Sequence, residues 1–263
     1  MLLNPTGGVL GGDRLRTEIT LAEDSAVCLS TPSATRIYRT SGPPAEMHTL
    51  LRLGRGATLE YLPDHVIPHA GSILRQSLRI EMHEGSRGIF LDAFSSGRVA
   101  QNEHWRFREF DSRTEVTLRG KLIHLSRTRI SGDATPGAAL SCTAAAPARI
   151  PTSTLPRQAN YSPLSASHPS LSSLGCMSDY CYSASLLIVA DRLPDWRPVV
   201  ASLCAELETV PGVLGGISLL SESGCSARYL AKSAIDLHEA THRLWAAARR
   251  QVLHLPPLDL RKY

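Results

Sequence analysis

Aromatic side chains are scarce in this chain, at 5% of its 263 residues, so a core of this size must be filled mainly by aliphatic groups. The 43% of hydrophobic residues can supply them. Long apolar runs are missing as well. None reaches the roughly 18 residues of a membrane-spanning helix, which excludes a helical transmembrane protein. The start, Met1-Leu2-Leu3-Asn4-Pro5, lacks the basic lead and the apolar stretch of about 7–15 residues that mark a secretory signal peptide, so a cytoplasmic location is expected. Charge of one sign is not in large excess either. The 28 Lys+Arg against 24 Asp+Glu leave +4, and no basic run of five or more occurs, so nucleic acid is not an expected partner. The six cysteines, at 28, 142, 176, 181, 204 and 225, contain no C-x-x-C pair and read as reduced, mostly buried thiols. No fixed repeat period appears, so neither a propeller nor a consensus solenoid is indicated.

What is present is alternation. Leu15, Thr17, Ile19 and Leu21 interleave with Arg16, Glu18 and Thr20, the period of a half-buried strand. Further strands are predicted at 50–53, 58–62, 73–82, 89–94, 103–110, 114–119, 121–130, 183–190 and 213–220, separated by Gly- and Pro-containing turns. With no helical stretch between the early ones, antiparallel layers are expected rather than βαβ units. Residues 131–175 hold nine Ser, nine Ala and six Pro with only Asp133, Arg149 and Arg157 charged, and read as a flexible insertion within one domain spanning 1–263. Two helices follow. One starts near Asp195, with Pro198 in its first turn, and stops at Pro211-Gly212. The other is predicted over 226–253, with Ser226 as N-cap and an apolar stripe through Leu230, Ala234, Leu237, Leu244, Ala248 and Val252.

Residues that could carry chemistry are few. The glycines of Gly7-Gly8-Val9-Leu10-Gly11-Gly12-Asp13 invite a nucleotide reading, but neither a preceding strand nor a following helix is predicted, and tight turns are the better reading. His65 and His69 stand four apart beside Pro63 and Pro68, which exclude a regular helix; they read as loop histidines, with a transient nickel or zinc contact as the alternative. Cys176 and Cys181, with His168 and Asp179 nearby, lack the tight pairing of a structural zinc site. Asp92, Glu103, Asp111 and Glu115 could supply a carboxylate pair for sugar hydrolysis, but solvated strand faces are the better reading. No G-x-S-x-G elbow is present, and no catalytic residue is assigned.

Four segments, read in order, resemble the urease accessory protein family UreD, called UreH in some bacteria. Asn4-Pro5-Thr6-Gly7-Gly8-Val9-Leu10-Gly11-Gly12-Asp13 resembles its N-P-x-G-G-x-x-G-G-D signature, and Thr31-Pro32-Ser33-Ala34-Thr35-Arg36-Ile37-Tyr38-Arg39 its T-P-x-A-T-[KR]-x-Y motif. Glu60-Tyr61-Leu62-Pro63 is similar to its E-x-L-P segment, and Gly97-Arg98-Val99-Ala100 with Glu103 to its G-R-x-A-x-x-E block. The likeness covers residues 4–130 well and 183–260 loosely. Members of the family carry a few tens of residues before the glycine motif, so either this start is misplaced or an open sheet edge is expected.

The resemblance implies a mainly β fold, a layered, β-helix-like stack of antiparallel and mixed strands with two C-terminal helices. It also implies a role without catalysis: binding apo-urease and UreF, which docks the GTPase UreG, so that nickel enters urease. Nickel is then cargo, with no tightly bound cofactor. Arg36, Tyr38 and Arg39 are cationic and amphipathic groups of the kind enriched at interfaces, and are candidate partner contacts. Asp13, Glu60, His65 and Asp92 are candidates to touch nickel in transit. The competing readings are a β-rich protein-interaction module unrelated to nickel and a hydrolase using Asp92 and Glu103.

Overall fold

A computed structural model describes residues 1–4, 6–131, 141–144, 177, 179–193, 195–220 and 223–260. β1 (Arg14–Leu21) buries alternate side chains, as its sequence requires. The chain then crosses to a second sheet for β2 (Ala26–Ser30) and β3 (Thr35–Ile37) and returns for β4 (Ala45–Leu53). It crosses again for β5 (Thr58–Leu62) and β6 (Val66–Pro68), and once more through β7 (Ile73–Met82) and β8 (Arg87–Ser95) before β9 (Glu109–Leu118). The result is a β-solenoid-like stack, as the resemblance implies.

Its coils are parallel, however. β1, β4, β7 and β9 pair in parallel, and so do β2, β5 and β8. The antiparallel expectation fails because it assumed that a parallel neighbour needs a helical crossover. Here each return path runs through the other sheet, so short turns suffice. Arg14 faces Glu46, Glu46 faces Arg75 and Arg75 faces Asp111, advances of 32, 29 and 36 residues. Those unequal coils hide the solenoid from a search for a fixed period.

After β9 the direction reverses. Arg119 and Gly120, both with positive φ (51° and 75°), form the two-residue turn into β10 (Lys121–Ser131), antiparallel to β9. The strands predicted at 103–110 and 114–119 are a loop followed by one continuous β9. Within the Ser/Ala/Pro segment, β11 (Ser141–Ala144) pairs with β10; the remainder of the segment that is predicted to be flexible lies outside the described residues. β12 (Tyr182–Ala190) joins β8 antiparallel, and α1 (Arg197–Glu208), β13 (Val213–Leu219), β14 (Gly224–Ala231) and α2 (Ala234–Ala248) complete the order. The second sheet therefore runs β13-β14-β12-β8-β5-β2.

Both faces of its centre are covered, which explains the near-continuous apolar runs of β8 and β12. Ile89, Leu91, Leu186 and Ile188 pack toward the helices, whereas Phe90, Leu187 and Val189 pack toward the first sheet. α1 begins with Pro198 in its first turn, as predicted, and buries Val199, Leu203 and Leu207. The second predicted helix is corrected at its start. Cys225, Ala227, Tyr229 and Ala231 are buried at period two, so 224–231 is β14, and Leu230 belongs to that strand rather than to a helical stripe. The cap is Ser233: its Oγ accepts the Asp236 N–H (3.1 Å), and the Asp236 carboxylate accepts the Ser233 N–H (3.1 Å). Beyond Ala248 the helix widens into a π turn over Arg249–Leu253.

Candidate functional site

The two N-terminal motifs are halves of one structure. Val9 donates its N–H to Arg36 O (2.8 Å), Tyr38 donates its N–H to Val9 O (2.9 Å), and the Tyr38 hydroxyl donates to Gly7 O (3.0 Å). A Cβ at Gly8 would lie 2.7 Å from Arg36 O, and one at Gly11 1.9 Å from Thr40 Oγ1, so this approach admits only glycine. Asp13 closes the turn: its Oδ2 accepts the Leu10 N–H (2.9 Å) while its carbonyl accepts the Glu46 N–H (2.8 Å). Thr31 ties the second motif to the third, its Oγ1 accepting the Asp64 N–H (2.8 Å). Of the candidate partner contacts, Arg36 and Arg39 are exposed, while Tyr38 is half-buried against the His69 ring (5.0 Å between centroids).

Glu60 is not presented to solvent. Its carboxylate, on β5, accepts from Arg249 Nη1 (2.7 and 2.9 Å) and from Trp245 Nε1 (2.5 Å), and Arg249 Nε donates to Pro256 O (2.8 Å). Glu60 and Arg249 are both buried, so this ion pair joins the solenoid to the end of α2. Two arginines at a helix end, Arg249 and Arg250, are its one trace in the sequence. Glu103 is likewise engaged, held by both Arg98 Nε (2.7 Å) and Arg98 Nη2 and by the Ala70 N–H (3.3 Å). The Arg98 guanidinium holds the Glu103 carboxyl below the usual carboxylate range.

Asp92 occupies a different environment, between the sheets. Its carboxylate accepts from Gln76 Nε2 (3.1 Å) on β7 and from Ser112 Oγ (2.9 Å) on β9, and burial pushes its pKa up against those hydrogen bonds. Ser112, Thr114, Ser183 and Ser185 line a space of about 100 Å³ beside it, with Arg127 and Arg228 among its walls. Apolar clusters lie to either side, one around Leu51, Ile80 and Phe90 and one around Ile37, Phe94 and Phe110. A polar belt thus crosses an otherwise apolar sandwich.

The four metal candidates are not brought together. Asp13 is in the first turn, Glu60 in the buried ion pair, His65 beside the Tyr182 ring (5.4 Å) and Asp92 in the polar belt. Burial lowers the His65 pKa, which favours the neutral, ligating form of the imidazole. His65 and His69 are loop residues, as read from the sequence, but they stand on either side of the short strand β6, whose extended backbone holds them about 13 Å apart. They do not share an ion. Among the described residues no three His, Cys, Asp or Glu side chains converge as a metal site. Asp92 and Glu103, the carboxylates a hydrolase would need, sit in separate networks. Cys28, Cys181, Cys204 and Cys225 form no disulfide, while His168 and Cys176 lie outside the described residues. No helix among the described residues is long and apolar enough to cross a membrane.

A family model for the UreD urease accessory protein matches residues 1–150 and 159–262. The chain is similar to the urease accessory protein UreD of Opitutus terrae, at 29% identity over 246 residues, covering 93% of this chain and 77% of the relative. It is similar to UreD of Mycolicibacterium gilvum at 28% over 251 residues, 95% of this chain and 78% of the relative. Against UreD 1 of Brucella melitensis, identity is 35% over 146 residues, 56% of this chain and 51% of the relative.

Proposed function

Because this chain belongs to the UreD family of urease accessory proteins, we propose that it is a non-enzymatic scaffold of urease maturation. In this reading it acts in the cytoplasm, binds apo-urease and UreF, and through UreF the GTPase UreG, so that GTP-dependent nickel insertion can proceed. The observation that carries the reading is the family match along nearly the whole chain, at motifs that lock into one surface unit. Arg36 and Arg39 project from that unit and are the partner contacts we assign.

Nickel is the cargo of the assembly. Of the four candidate residues, Asp92 is the one we place on its path, because it offers carboxylate oxygens to a polar space inside the sandwich. Glu60 serves instead to hold α2 to β5. Co-purification tests the reading: the chain co-expressed with UreF, UreG and apo-urease should be recovered with UreF and urease bound. Recovery of the folded chain without either partner would overturn it.

A further inference from the structure

The same spacing that keeps His65 from His69 brings another pair together. His238-Glu239-Ala240-Thr241-His242 lies within α2, and four residues along a helix put both imidazoles on one face, with Cβ atoms about 6 Å apart. Both are exposed. The spacing is that of helix-borne zinc ligands in H-E-x-x-H sequences. Both histidines line a groove of about 560 Å³ between α2 and the β5–β6 turn. The described residues around it include the carboxylates Asp64, Glu239 and Asp259 and a third imidazole, His65, but no Lys or Arg.

We propose that His238 and His242 clamp a divalent transition-metal ion at this groove. Two imidazole nitrogens suit nickel, zinc or copper and disfavour magnesium, which demands oxygen. No third His, Cys, Asp or Glu converges with them among the described residues, so water or a side chain of a docked protein completes the coordination. An ion held by two ligands is exchangeable, as a passing cargo requires. Glu239, the position of a hydrolytic base in H-E-x-x-H enzymes, is instead paired with Arg243 (2.6 Å), so binding is inferred and hydrolysis is not. The clamp rests on helix geometry and does not depend on the scaffold reading.

Calorimetric titration of the untagged full chain with nickel or zinc, each alone, tests the clamp. Its second readout is quenching of Trp245 fluorescence by nickel, since the His242 ring lies 6.2 Å from that indole. His238→Ala/His242→Ala should bind one ion fewer per chain and lose the Trp245 quenching. Its circular dichroism should be unchanged, because both side chains are exposed. A control variant, His48→Ala/His83→Ala, should behave like the parent chain, and magnesium should not compete. Equal stoichiometry and affinity in the α2 double variant, or effective competition by magnesium, would overturn the proposal whatever the outcome of the co-purification.

Discussion

Glu60 and Arg249 illustrate how much a single buried pair can decide. Their partnership spans 189 residues of sequence, and each is shielded from water by apolar neighbours. Removing one partner leaves the other charge buried and uncompensated, so Arg249→Ala should cost about 3–5 kcal/mol, read as a lower urea midpoint. The apolar replacement Glu60→Leu/Arg249→Met should recover most of that loss, since no charge is then stranded. His124 gives a pH signature. Burial, with help from Arg228, pushes its pKa down to about 4. The unfolded chain therefore binds more protons than the folded one between about pH 6.5 and 4. Its contribution is complete above that window and falls as the pH drops through it, by about 3 kcal/mol at most. His65 and His69 act in the same direction. Urea midpoints measured from pH 7 down to 4 should fall, and His124→Asn should flatten that slope.

At the scale of elements, α2 depends on where it begins. Its start is fixed by the reciprocal Ser233–Asp236 bonds, and Ser233→Ala should destabilise the chain by about 1 kcal/mol in thermal or urea unfolding. A Ser226→Ala change at the cap read from sequence should lack that effect, because Ser226 lies within β14. The misplacement has a physical source. Leu230, Ala234 and Leu237 fall at helical spacing across a real strand–helix boundary, and the small residues Ser226 and Ala227 disfavour neither state strongly. The alternation of Arg14–Leu21 and the run of Ile73–Met82 were legible because each strand buries alternate side chains against one interior. Parallel pairing was not legible, since strand direction depends on where the chain goes between strands.

For the whole molecule, the scaffold reading makes separable demands on two regions. Arg36→Ala/Arg39→Ala should reduce recovery of bound partners while leaving the urea midpoint unchanged, because both side chains are exposed. Asp92→Ala should leave partner recovery intact and lower the nickel content of co-purified urease several-fold, measured by elemental analysis. Equal nickel in both preparations would remove Asp92 from the path. The separation follows from position: the arginines sit on the outer motif unit, and Asp92 lies between the sheets.

The amino-acid order alone determined strands such as β1 and β7, the placement of α1, the family likeness and the tight glycine turns, because each depends on neighbours within a few residues; it did not determine β14 or the loop before β9. Tertiary structure alone decided that Glu60 is a structural anchor, that Asp92 faces a polar interior, and that the histidines at 65 and 69 stand apart while those at 238 and 242 stand together. Those outcomes turn on which strand or helix carries a residue and what packs across from it. Contacts of that kind join positions far apart in the chain, and no local pattern records them.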